Sequence, residues 1–151
     1  MIRSITIGVN NESFNRDLED INTFVSDAKA NSPVKIRTFR LSLEPYVIKK
    51  TRDLVGLRPL LDTLDVFCKE SIIRWYCIPF NYVNSSPAIV NDGAFEILSR
   101  RPNAFVNLIA SNKNGTNIPN LSVIHYFRFQ SIDRFVLNLT NSLSTYSMFL
   151  T

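Results

Sequence analysis

The 151-residue chain is 45% hydrophobic and 20% charged, a balance that excludes disordered, collagen-like and coiled-coil chains and fits one domain, residues 1–151, with a single core. Its 17 Lys and Arg against 13 Asp and Glu leave a formal charge of +4. The cations are scattered, with short clusters only at Lys49, Lys50, Arg52 and at Arg100, Arg101, which disfavours nucleic acid as a partner because such binders gather charge on one face.

The β-branched run from Ile2 to Val9, ended by Asn10 and Asn11, predicts a buried first strand. From about Asn15 to Ala30, Leu18, Ile21, Val25 and Ala28 recur at helical spacing, and Asn31-Ser32-Pro33 stops the helix. Val34 to Leu43 reads as the second strand. A helix from about Pro59 to Lys69 follows, with Pro59 in its first turn and Leu60, Leu61, Leu64, Phe67 and Cys68 on one stripe. Ile72 to Phe80 is the third strand, Asn91 or Asp92 caps a helix running to Arg100, and Ala104 to Ala110 is the fourth strand. The last helical region spans Pro119 to Leu143, its second half marked by Ile132, Val136, Leu139 and Leu143.

Four repetitions of strand then helix predict an α/β fold: four βα units on a mainly parallel sheet, joined by right-handed crossovers. In this reading the helix-to-strand connections are short. The long connections, from Glu44 to Arg58, Asn81 to Val90 and Ser111 to Ile118, all leave the carboxyl ends of strands, where α/β sheets bind ligands. That rim would receive Asn10, Asn11, Arg40, Glu44, Tyr46, Asn81, Tyr82, Asn112 and Lys113. Amides and phenols orient a ligand by hydrogen bonding. Arg40 could grip the carboxylate or phosphate of a small metabolite, Glu44 could move a proton, and Asn10, Asn81 and Asn112 would complete the site. The competing reading makes Arg40 and Glu44 an ion pair at a strand end and leaves the asparagines to form turns.

Cys68 and Cys77 match neither a zinc site nor a redox pair and read as reduced, buried residues. His125, the single histidine, has no neighbouring ligands, so no metal is expected. Trp75, within a strand, reads as core packing. Gly8, Gly56, Gly93 and Gly115 build no phosphate-cradling loop, and no cofactor is expected. Neither a secretory signal nor a membrane-spanning run is visible, so the chain reads as cytoplasmic, with no membrane partner.

The runs Ile2-Arg3-Ser4-Ile5-Thr6-Ile7-Gly8, Ile36-Arg37-Thr38-Phe39-Arg40-Leu41-Ser42 and Arg101-Pro102-Asn103-Ala104-Phe105-Val106-Asn107 together resemble the amino-terminal part of the family called domain of unknown function 711, in its archaeal branch. The resemblance implies part of a larger, pyruvate formate-lyase-like α/β barrel and transfers no catalytic residue. Full members of that family are much longer. A partial barrel leaves sheet edges uncovered, so the expected alternative to a metabolite site is a non-enzymatic module or split subunit. It would pair with a second copy or another protein through a sheet edge or the last helix.

Overall fold

A computed structural model describes residues 1–109 in full and, beyond them, the backbone of 111–112, 115–116, 135–138 and 148–149. Strands and helices alternate as β1 (Ile5–Val9), α1 (Phe14–Asn31), β2 (Phe39–Leu43), α2 (Thr51–Glu70), β3 (Trp75–Asn81), α3 (Pro87–Arg100) and β4 (Ala104–Ile109). The first four strands are parallel and bonded in chain order. Two short strands, β5 (Ser111–Asn112) and β6 (Gly115–Thr116), form a separate antiparallel ribbon. On the far side of β4 lies β7 (Phe135–Asn138), again parallel, and β8 (Met148–Phe149) closes the sheet antiparallel to it.

The two-residue period of each strand decides which side is dry. Leu41, Tyr76, Ile78, Phe80, Ala104, Val106 and Leu108 are fully buried on one face, in register with one another. Right-handed crossovers between strands bonded in chain order put all their helices on that same face. The helices accordingly touch: the Phe14 ring of α1 meets Phe67 of α2 edge-on at 6.0 Å, and Leu54 of α2 fills the space over Gly93 of α3, where a Cβ would overlap it. Thr6, Gly8, Arg40, Ser42, Trp75, Cys77, Phe105 and Asn107 alternate with the buried set and point to the opposite face.

One polar cluster ties the layers together. The buried Tyr76 hydroxyl donates to Asp65 Oδ1 of α2 at 2.6 Å, and Arg101, just past α3, donates to the other oxygen of Asp65 and, at 2.6 Å, to Asp62. Burial first, and then the Asp65 contact, push the Tyr76 hydroxyl well above the usual tyrosine range.

Several element boundaries differ from those read in the sequence. The second helix starts at Thr51, so Pro59 lies inside it. Asp53 explains the early start: its carboxylate accepts from the backbone N–H groups of Lys49 and Lys50, both at 2.9 Å, while the Thr63 hydroxyl donates to the Pro59 carbonyl. The third helix begins at Pro87, which suits the first helical position, and not at Asn91 or Asp92. Residues 135–138 are strand and not helix, because a short apolar run such as Phe135-Val136-Leu137 fits a buried strand as well as a helix face. The rest of the expected last helix, with His125, lies outside the described residues. Connections also even out: the helix-to-strand segment 32–38 matches the strand-to-helix segment 44–50 in length, so long loops do not single out the carboxyl rim.

Candidate functional site

At the carboxyl ends of the strands the expected residues separate into two groups. Asn10 and Asn11, just after β1, close on Glu44, just after β2. Asn10 Nδ2 donates to Glu44 Oε1 and the Asn11 N–H to Oε2, each at 3.3 Å. Asn11 also pairs with the Glu44 backbone in both directions, and Asn10 Oδ1 accepts from the N–H groups of Glu12 and Ser13. The asparagines therefore make a turn, and Glu44 serves as its clamp.

Asn81 is also a turn residue: its Oδ1 accepts from the Asn84 N–H, and its carbonyl accepts from the Ser85 hydroxyl, which in turn accepts from the Ile48 N–H. Tyr46 rejoins the sheet, its N–H donating to the Pro79 carbonyl and its own carbonyl accepting from Asn81. One more residue is spent on the β2 side than on the β3 side between the Ser42–Cys77 and Tyr46–Phe80 pairs. This is a bulge at Glu44-Pro45, where neither Pro45 nor Pro79 can donate to a ladder. Burial, reinforced by the Glu44 charge, pushes the Tyr46 hydroxyl up to about 12, and burial also raises Tyr82.

Arg40 belongs elsewhere. It lies within β2 on the sheet face opposite α1, α2 and α3, about 13 Å along the strand from Glu44, so these two do not wall one pocket. Its register partner is Trp75, whose ring stands edge-on to Phe105 at 5.4 Å. The Arg74 guanidinium lies 5.8 Å from the centre of the Trp75 ring. Trp75 thus packs on the side of the sheet away from α1, α2 and α3 and not in the core beneath them. Burial pushes the Cys77 thiol up to about 12 against the opposing charge of Arg40. Further toward the carboxyl rim, Asn107 is 8% exposed, and its Oδ1 has no hydrogen-bond partner among the described residues.

Asn112 lies in β5, opposite Gly115 in the ribbon that follows β4; Lys113 lies outside the described residues. Both cysteines are free thiols. Among the described residues no three of His, Cys, Asp and Glu are grouped as metal ligands, and no helix is long and apolar enough to cross a membrane.

Comparison of the chain with protein-family profiles, with curated proteins and with solved structures finds no match. The family resemblance rests on the three quoted runs alone. Phe105 and Asn107 were missed in the sequence as site residues, although strand parity carries the signal: positions alternating with the buried Ala104, Val106 and Leu108 share the face of Arg40 and Trp75.

Proposed function

We propose that the chain binds a small metabolite bearing a carboxylate or phosphate, held by Arg40 over the sheet face opposite α1, α2 and α3. The observation that supports this reading is the placement of a half-buried arginine on a sheet face in register with Trp75, whose ring meets Phe105. Arg40 would supply charge and direction, and Trp75 and Phe105 an apolar wall. Glu44, engaged by Asn10 and Asn11, acts as a fold element in this reading.

Thermal-shift screening of anionic metabolites against wild type and Arg40→Gln tests it. A ligand near 100 times its Kd adds about 2.7 kcal/mol to stability, so wild type should gain several degrees and Arg40→Gln should not. Equal responses of the two proteins would remove Arg40 from the account.

A second reading is self-association through β1, which lies at the edge of the sheet with Thr6 and Gly8 exposed. Light scattering at micromolar concentration would show a dimer; a strict monomer would exclude it.

A further inference from the structure

The opposite pole of the sheet, formed by residues 1–4, 32–38, 71–74 and 101–103 ahead of the four strands, carries a different chemistry. Arg3, Lys35, Arg37 and Arg74 are exposed there, and the parallel bridge between Ile2 and Ile36 holds the first two segments side by side. A cavity of about 50 Å³ opens among Lys29, Arg37, Arg74 and Ile72, and no carboxylate lines it. Lys29 stands in the last turn of α1, where it also answers the helix dipole. The other four cations lie outside every helix, so the dipole does not account for them. Asp27 and Glu70 are the acidic residues at the neighbouring helix ends.

Apolar side chains are interleaved with this charge: Ile2, Val34 and Ile72 are 37%, 41% and 42% exposed. Single-stranded nucleic-acid sites set free aromatic faces beside their cations. Here Phe39, which lines the cavity, is buried, and the neighbouring Trp75 has Arg74 over its ring and Phe105 at its edge. Exposed aliphatic groups among cations suit a lipid surface, where the one enters the headgroup boundary and the other meets phosphate. The cavity takes a single phosphate-sized group and is far below the size of a metabolite pocket.

We propose that this pole docks on an anionic lipid bilayer, lying on the surface without crossing it. Lipid phosphate seats against Lys29, Arg37 and Arg74, and Ile2, Val34 and Ile72 dip among the headgroups. The inference does not depend on the metabolite site proposed over the sheet face opposite α1, α2 and α3.

Co-sedimentation with vesicles of phosphatidylserine and phosphatidylcholine, against phosphatidylcholine alone, tests it. Wild type should bind only the anionic vesicles, and less as salt rises. The double variant Arg37→Gln/Arg74→Gln should bind roughly thirtyfold more weakly, and Ile72→Ser should also weaken binding. Lys49→Gln/Lys50→Gln, at the other pole, should match wild type. All these positions are exposed, and an unchanged thermal midpoint confirms folding. Absence of wild-type binding to anionic vesicles, equal loss in the Lys49/Lys50 variant, or an oligonucleotide that displaces the vesicles from wild type at equal phosphate would each overturn the proposal.

Discussion

Removing Arg101 should carry a large cost in stability for the exchange of a single polar side chain. Arg101 is 15% exposed and Asp65 22% exposed at the side chain, so Arg101→Met leaves a largely dry carboxylate with Tyr76 as its remaining partner. Breaking a fully buried pair costs about 3–5 kcal/mol; partial access of water to Asp65 lowers this to about 2–3 kcal/mol. The contact with Asp62, whose side chain is 69% exposed, adds little. Tyr76→Phe removes one hydrogen bond to a charged acceptor, about 1.5 kcal/mol. Because both side chains act on one carboxylate, the double variant should depart from additivity by about 1 kcal/mol. Urea unfolding followed by the fluorescence of Trp75, the single tryptophan, measures all four corners of the cycle. A cost for Arg101→Met below about 0.5 kcal/mol, or additivity within about 0.3 kcal/mol, would show that Asp65 is solvated and the cluster ornamental.

Alkaline pH should destabilise the fold. Burial holds the thiols of Cys68 and Cys77 near 12, against 9.0 when unperturbed, so between those values the unfolded chain releases protons that the native chain keeps. Stability then falls from about pH 9 upward by about 1.4 kcal/mol per pH unit for each thiol, and Tyr76 adds to the loss above about pH 10. Urea titrations between these pH values should show a shallower slope for Cys68→Ala/Cys77→Ala, and an unchanged slope would refute the assignment. Pro59→Ala should stabilise the protein by about 1–3 kcal/mol, since Pro59 is exposed inside α2 and lacks an amide hydrogen. Gly56→Ala should add about 1 kcal/mol, because a Cβ there meets nothing within 4 Å; a fall in thermal midpoint for either variant would contradict the local account. Asn11→Ala should cost about 1 kcal/mol by removing both side-chain hydrogen bonds to the Glu44 backbone, measurable in the same assay.

The alternation of strands and helices was legible because each element carries its period: Phe39, Leu41 and Leu43 alternate, while Leu57, Leu61 and Leu64 recur at helical spacing. Helix starts were less so. Prolines admit two positions, and only the Asp53 contact with Lys49 and Lys50 reveals that Pro59 is internal. Residues 135–138 were misread because four apolar-rich positions hold no decisive period. Asn10, Asn11 and Glu44 were correctly gathered at one rim, since parallel strands end together. Their mutual hydrogen bonds could not be foreseen, because amides serve turns and ligands with the same atoms. Arg40 was assigned to that rim although it stands lower on the strand, an error of one dimension: sequence gives the order of residues along a strand more readily than their height on the sheet.

Neighbour-to-neighbour strand order also bears on how the chain acquires its shape. Each of the first three pairings closes over a single intervening helix, so the loop entropy of each closure stays modest. β1, α1 and β2 can meet while later residues are still being synthesised, and each newly emerged strand finds its template already in place. Through β4, growth from the amino end would thus leave the outer edge of each new strand open only until the next strand arrives.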